Sequence, residues 1–496
     1  MADEAATAPA AIARPTPPWR AALNHPAAQI ALAAAALAGP TIFNGRPFPF
    51  EDTSTYFQSG YRLLRLVFPD AGAPTSAFIA SYLAAHSPTY GLLITIVEAL
   101  GTLWAMVFVH ALLAATALRI LTRAIGRGPI TYAVLIAVLT AGTTLPLFVG
   151  FLMPDVTAGF GPLCLAALFL FPDRLARWER RTLWAVLAAT VSFHQTHLMT
   201  AAALMPLALL GARLSPGARA YAKRAALTFA AIAAGCIAIS TANAFLPPRI
   251  HTPPFLTARV LADGPGRLYL RAECAKDPRR FALCAYRDKP LDYSDNILWG
   301  YGAKGVFAPA KPEMRLALIA EQRAFVFGAV SRYPLMEASA ALKNAFKQLI
   351  TIRLDGAFAI DAMYWRKLPK DFYLADMVRE TGCPDRLKHC RAKLDLRVLS
   401  AAYQFLFVLA LIYLAAHVIV RRPWRAPATA EDEAYRPFLV LIAMSLVAIV
   451  INAALCGALS GVFPRYQARI TWIVPAIAIW AEARFPLLPH AKPAKA

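Results

Sequence analysis

Three short stretches place polar, reactive side chains beside long apolar runs. "GRPFPFEDTSTYF" (45–57) sets Glu51 and Asp52 side by side among Phe48, Phe50, Tyr56 and Phe57. "MPDVTAGF" (153–160) sets Asp155 directly before another apolar run, and "SFHQTH" (192–197) carries His194 and His197 three residues apart. Histidines at that spacing share one face of a helix. Carboxylates in such places supply oxygen ligands to a hard cation, or accept the proton of an attacking alcohol. Asp155, with His194 or His197, is therefore expected to help hold either a divalent cation, Mg or Mn, or a phosphate. Arg465, with Arg469 following in "GVFPRYQAR" (461–469), suits two-pronged recognition of a phosphate.

Each of these residues also has a plainer reading. Asp52 precedes Thr53, Ser54 and Thr55 and could cap an amphipathic helix. Asp155 could do the same, since Pro154 disfavours helix at the residue before it. The arginines could simply reach lipid headgroups. Glu98, inside "ITIVEALG" (94–101), is an acid within an apolar run, a placement that costs about 2.5–3.5 kcal/mol at a bilayer centre. It either lines a cavity or accepts from a neighbouring hydroxyl. Two aspartates and a histidine pair on one side of a membrane favour function over structure.

That side must be derived from the elements that carry them. The chain has 496 residues, of which 58% are hydrophobic and 16% charged, with mean hydropathy +0.49. So little charge cannot cover a soluble protein of this length, and repeated apolar spans follow. Windows of about 20 residues predict an all-α polytopic membrane protein with about ten transmembrane helices. They lie near 27–43, 90–118, 130–150, 156–171, 182–197, 198–212, 225–246, 398–420, 437–460 and 467–483. Residues 1–26 are Ala- and Pro-rich and read as a disordered cytoplasmic tail, as does 485–496. "ALA" at 36–38 resembles a signal-peptidase site, but apolar character continues to Phe43, which favours a retained first helix.

Loop charge sets the orientation. "RILTRAIGR" (119–127), "DRLARWERR" (173–181), "RLSPGARAYAKR" (213–224) and "RRPWR" (421–425) are short and rich in arginine, so they face the cytoplasm. A net charge of +22 in a soluble domain would suggest nucleic acid. Here much of the excess is spent on orientation, and no nucleic-acid partner is expected. The opposite side receives residues 44–89, Asp155, the two histidines, Arg465 and the long segment 247–397. The transmembrane module thus covers 27–246 and 398–484, with 247–397 as a small, mainly helical periplasmic domain. "PEMRLALIAEQRAFVFGAVSRYP" and "MEASAALKNAFKQLI" carry its helical periodicity. Cys274, Cys284, Cys383 and Cys390 all fall in this segment as two local couples, whereas Cys164, Cys236 and Cys456 lie in spans as small apolar residues. An oxidising compartment explains that segregation, with disulfides Cys274–Cys284 and Cys383–Cys390. Metal binding is disfavoured because neither interval has zinc-site spacing.

The chain has no Walker loop, no GxSxG elbow, no HExxH and no internal repeat. An enzyme of this kind takes its activated substrate from the membrane; a polyprenyl-phosphate carrier is the candidate, and its phosphate leaving group would fit a metal plus arginine. The pattern resembles the GT-C superfamily of membrane glycosyltransferases, most of all the bacterial branch of lipid A aminoarabinose and lipopolysaccharide-core transferases. Glu51-Asp52 matches the acidic motif of the family's first outer loop, and Pro154-Asp155 matches the acid before its fourth helix. Family members carry an extracytoplasmic domain after about seven helices, as 247–397 would be here. Relatives often place a lysine before the proline that opens the second span, where it meets carrier phosphate. This chain has Ser87 there, with His86 one step earlier, so Arg465 and His86 are the donor-phosphate candidates.

The resemblance implies a bacterial inner-membrane enzyme that moves a sugar from a polyprenyl-phosphate donor to a lipid or glycan acceptor on the periplasmic face. It implies Asp52, with Glu51 beside it, as the catalytic acid motif. A transporter or flippase of lipid-linked glycans is the first alternative, and a non-catalytic membrane scaffold for envelope assembly the second. A transporter needs a charged path, and apart from Glu98 the spans hold few ionisable residues.

Overall fold

The computed structural model describes residues 25–50, 52–69, 86–99, 101–214, 216–246, 251–354, 396–425 and 429–487. Leu394, Pro427 and two short strands, β1 (Ile360–Asp361) and β2 (His389–Cys390), complete the described set. Apart from that two-residue antiparallel pair, every described element is helical. Among the described residues six helices are long and apolar enough to cross a membrane, namely α1 (Pro26–Asn44), α4 (Trp104–Ala124), α9 (Gln195–Ala212), α10 (Pro216–Phe245), α16 (Leu396–Arg421) and α17 (Ala430–Leu459). Helix α10 shows why the solvent must be lipid. Only 11% of its apolar window is buried in the protein, and Leu227, Ile237 and Ile239 face outward. Water would not tolerate so large an exposed apolar face.

Shorter apolar helices fill the spaces between them: α3 (Pro88–Ala99), α5 (Pro129–Gly142), α6 (Leu145–Val149), α7 (Phe160–Leu170), α8 (Arg177–Phe193) and α19 (Ile473–Arg484). The single window expected at 90–118 is two helices. Gly101, at φ +103°, turns the chain between α3 and α4, a left-handed conformation that side-chain-bearing residues avoid. The boundary between the fifth and sixth windows also moves, since His194 ends α8 and starts α9.

Helix α2 (Thr53–Leu64) was expected as an amphipathic stretch at the interface. It is instead driven into the bundle, with Thr53 to Gly60 all buried. It lies alongside α3 in parallel register, pairing Thr55 with His86, Tyr56 with Tyr90 and Tyr61 with Glu98. Gly60 and Gly91 permit this approach: a Cβ on Gly91 would stand 2.5 Å from the Tyr56 carbonyl oxygen. Small residues at such a crossing let two backbones pack closely in lipid. Tyr61 donates to Glu98 at 2.8 Å, so the second of the two readings of that acid holds.

The segment after α10 forms α11 (Phe255–Asp263), α12 (Pro265–Lys276), α13 (Ser294–Trp299) and α14 (Pro312–Arg332) around a separate small core that includes Leu261, Leu270, Phe281, Phe307 and Phe325. Cys274 and Cys284 are disulfide-bonded within it. Cys383 lies outside the described residues, and with it the second expected bridge to Cys390. Helix α15 (Pro334–Ile350) leaves this small core and packs on α17. Gln348 there donates to the Phe463 carbonyl at 2.9 Å and accepts from its amide at 2.8 Å.

The Arg-rich connections meet at one end of the bundle. Arg123 pairs with Glu179, Arg127 reaches the Arg484 carbonyl, and Trp184 bonds Tyr221. The acids and histidines singled out above gather at the other end.

Candidate functional site

Backbone pairing brings the two acidic motifs together. The Phe48 amide donates to the Gly150 carbonyl at 2.8 Å, and the Leu152 amide donates to the Phe48 carbonyl at 2.9 Å. This one-residue bridge, Phe48 with Phe151, lays the chain before Asp52 against the chain before Asp155, and Thr53 Oγ1 adds a bond to the Leu152 carbonyl at 3.1 Å. The third component is α18 (Pro464–Thr471), a helix of eight residues that starts at Pro464 and carries Arg465 and Arg469 one turn apart. Asn452 fastens it to α17 by donating to the Tyr466 carbonyl at 2.7 Å. Two arginines on successive turns thereby face two aspartates on adjacent loops.

The outer pair is Asp52 with Arg465. Asp52 occupies the N-cap position of α2, but its side chain makes no capping bond. It accepts from Arg465 Nη2 at 3.0 Å instead, with Oδ1 at 3.7 Å from His86 Nε2. That second distance is an ion-pair separation, longer than a hydrogen bond. Burial alone would raise the Asp52 carboxyl; His86 and Arg465 outweigh it and hold the group below the usual carboxylate range. Arg465 stacks on the Phe50 ring at 3.9 Å, a cation–π contact that fixes the plane of the fork. Its Nη1 is buried and has no hydrogen-bond partner among the described residues. A buried guanidinium nitrogen without an acceptor is costly, and a ligand oxygen would satisfy it.

His86 is oriented by one hydroxyl. Thr55 gives its single proton to the Asp52 carbonyl at 2.8 Å, so in the contact of 2.8 Å between Thr55 Oγ1 and His86 Nδ1 the ring nitrogen donates. Nε2 is then the ring atom that faces Asp52. Ser87, which replaces the lysine expected from the resemblance, is spent on structure and donates to the Ser192 carbonyl at 2.6 Å.

The inner pair is Asp155 with Arg469. Asp155 sits in the 3₁₀ turn Pro154–Thr157, after an extended Met153. Its Oδ1 accepts from Arg469 Nη1 at 3.2 Å, and the two side chains are 2% and 0% exposed. Arg469 Nη2 also reaches Thr196 at 3.0 Å, Asn452 at 3.1 Å and Cys456 Sγ at 3.4 Å. Cys456 is therefore part of a polar cluster and not the inert apolar residue expected of a span cysteine. His194 caps α9, accepting from the Thr196 amide at 3.2 Å. His197 stacks on it with ring centres 4.9 Å apart.

This arrangement does not fit the divalent cation. The oxygen that a metal would need already receives a guanidinium. Among the described residues no three His, Cys, Asp or Glu side chains gather into a metal-binding group. Arg469 stands where the cation was expected, and no step below is routed through a metal.

Asp52, His86, Arg465, Asp155, His194 and His197 all come to the same end of the bundle, in two clusters joined through α18. Glu51 lies outside the described residues. Sequence reasoning missed the roles of Asn452, Thr196 and Cys456, which arise only when α9, α17 and α18 pack together. It also missed Asp295 on α13, whose carboxyl is pushed up by burial and then by the charge of Asp52. A cavity of about 790 Å³ lies beside it, bounded by Ser294, Tyr293, Arg259, Lys343 and the Gly461–Val462 turn that leads to Arg465. The fold and the apolar faces define a helical membrane protein with acids, histidines and arginines gathered at one end. No protein-family model, no curated protein and no solved structure matches the chain.

Proposed function

We propose that the chain is a GT-C-type glycosyltransferase of a bacterial inner membrane. It moves a sugar from a polyprenyl-phosphate carrier to a lipid or glycan acceptor on the periplasmic face. The observation that carries this reading is the outer pair: a partly exposed carboxylate held by an arginine that has one buried nitrogen to spare. In this reading the shorter apolar helices complete about ten spans, and the Arg-rich end is cytoplasmic.

The chemistry follows from Arg465. The phosphate of the donor takes the spare Nη1 and competes with Asp52 for Nη2. Losing part of its ion pair raises the basicity of Asp52 when the donor is in place. An acceptor hydroxyl would approach Asp52 Oδ1 and His86 Nε2, which stand close enough for one oxygen to reach both. Its oxygen bonds to the anomeric carbon as the bond from that carbon to the phosphate oxygen breaks. The hydroxyl proton passes to Asp52, and polyprenyl phosphate leaves on Arg465 with its charge matched. One displacement of this kind inverts the anomeric centre.

The test is transfer of a radiolabelled sugar from synthetic polyprenyl-phosphate donors by the purified, reconstituted protein. Comparison of envelope glycans and lipids in a deletion strain supplies the acceptor. Unchanged envelope glycans in that strain, with no turnover of any polyprenyl-phosphate sugar, would sink the proposal. The transporter reading predicts movement of an intact lipid-linked glycan without cleavage of its phosphate bond, and the same reconstituted system separates the two.

A further inference from the structure

A second polar cavity, of about 200 Å³, lies at the opposite end of the bundle, where α16 ends and α17 begins. Arg421, Arg422, Arg425, Asp432, Tyr435 and Arg436 contribute to its walls. Local geometry builds it. Arg422 is the only non-glycine residue with positive φ among the described residues, at 45°. A left-handed conformation is disfavoured for a residue that carries a side chain. The turn folds back through the Arg425 amide, which donates to the Arg422 carbonyl at 3.0 Å. Both side chains are thereby brought to the mouth of one recess.

The charges in this recess do not balance. Arg421 is paired with Glu431 at 2.8 Å and bonds the Pro486 carbonyl. The Asp432 carboxylate is engaged by the Thr429 amide and hydroxyl in a capping box. The Tyr435 hydroxyl meets His417. Among the described residues no carboxylate pairs with Arg422, Arg425 or Arg436. Three guanidiniums therefore converge on a recess whose one lining acid is already bonded elsewhere. Beside them Trp424 is 67% exposed, on a turn joining two helices long enough to span. Exposed tryptophan at the end of a span marks the level of lipid headgroups.

We propose that this cavity binds the phosphate of an anionic phospholipid. Guanidinium forks match phosphate oxygens in pairs, and basic recesses between spans recognise anionic headgroups. The site is independent of the glycosyltransferase reading, because it shares no residue with the Asp52 end.

The full-length protein is reconstituted in phosphatidylcholine nanodiscs with and without phosphatidylglycerol. Melting temperature and lipid retention by native mass spectrometry are then measured. Phosphatidylglycerol should raise the melting temperature and survive as a bound adduct. The triple variant Arg422→Gln, Arg425→Gln, Arg436→Gln should melt like the wild type in pure phosphatidylcholine and bind phosphatidylglycerol at least roughly tenfold more weakly. If the triple variant does not fold, Arg425→Gln alone, on the exposed turn, should still weaken retention. Equal retention by variant and wild type, or no dependence on phosphatidylglycerol, would overturn the site. An equal shift from inorganic phosphate in phosphatidylcholine discs would assign the recess to a soluble anion and overturn the lipid.

Discussion

Asp52–Arg465 and Asp155–Arg469 are the same ion pair in two environments, one helical turn apart on α18. The outer aspartate keeps 30% of its side chain exposed, and the inner one 2%. Each arginine leaves one buried nitrogen without a partner among the described residues, Nη1 of Arg465 and Nε of Arg469, but Arg469 Nη2 also serves Thr196, Asn452 and Cys456. An ion pair taken wholly out of water is costly unless most of its lone pairs and protons are used. The inner pair is tied into such a network and fixes the position of α18 against the Asp155 turn; the outer pair has fewer partners, and its aspartate stays partly exposed. Identical residue types thus separate into frame and site by burial and by how many partners each has.

The comparison breaks first at Asp52. Asp52→Asn should cut sugar transfer about 10²–10⁴-fold, because an amide cannot take the proton. Its melting temperature should stay near that of the wild type, since Asp52 makes no capping bond. Full transfer by this variant would return "FEDTSTYF" to mere interfacial structure. The inner pair should behave the other way. Asp155→Asn leaves Arg469 buried without its counter-charge, and breaking such a pair costs about 3–5 kcal/mol of stability. Asp155→Asn combined with Arg469→Met removes the stranded charge and should recover part of that loss. A stable, slow Asp155→Asn enzyme, restored by added Mn²⁺, would reverse the roles assigned to the two pairs and revive the metal.

How much of this was legible in the residues depends on range. Arginine counts in short loops separated the two ends of the bundle, and the acids, histidines and Arg465 do lie together at the end away from the Arg-rich connections. What they would touch was not legible. Arg465 and Asp52 are 413 positions apart, and no local pattern encodes a contact made by packing α18 between two loops. Spacing made His194 and His197 a pair, yet His194 is used as a helix cap, a role that neutral imidazole can share with aspartate. The 90–118 window hid its break because a single glycine among apolar residues scarcely alters hydropathy. The expected cation failed for a related reason: an arginine one turn beyond the suspected phosphate ligand supplies the positive charge, and sequence distance conceals it.

Arg465→Lys sharpens the contrast at intermediate size. Lysine keeps the charge but not the fork, so it cannot hold Asp52 and a phosphate together. The KM for the polyprenyl-phosphate donor should rise about tenfold, with kcat falling less and stability little changed. An equal fall in kcat with unaltered KM would mean that Arg465 acts only on the leaving group and not in donor binding.

The smallest expected effect is in pH. Asp52 has its folded-state carboxyl below the usual range, whereas in the unfolded chain an aspartate titrates near pH 4. The stability from its contacts with Arg465 and His86 is therefore fully present above about pH 4 and is lost only as pH falls toward the lower folded value. Partial exposure of the pair keeps this contribution small, since solvent screens it. The melting-temperature difference between wild type and Asp52→Asn should be flat from about pH 8 to pH 5 and narrow below about pH 4. Added salt should shrink it across the whole range. A difference that grew as the solution became more acidic would mean that Asp52 is protonated in the folded protein, and a protonated Asp52 could not serve as the base.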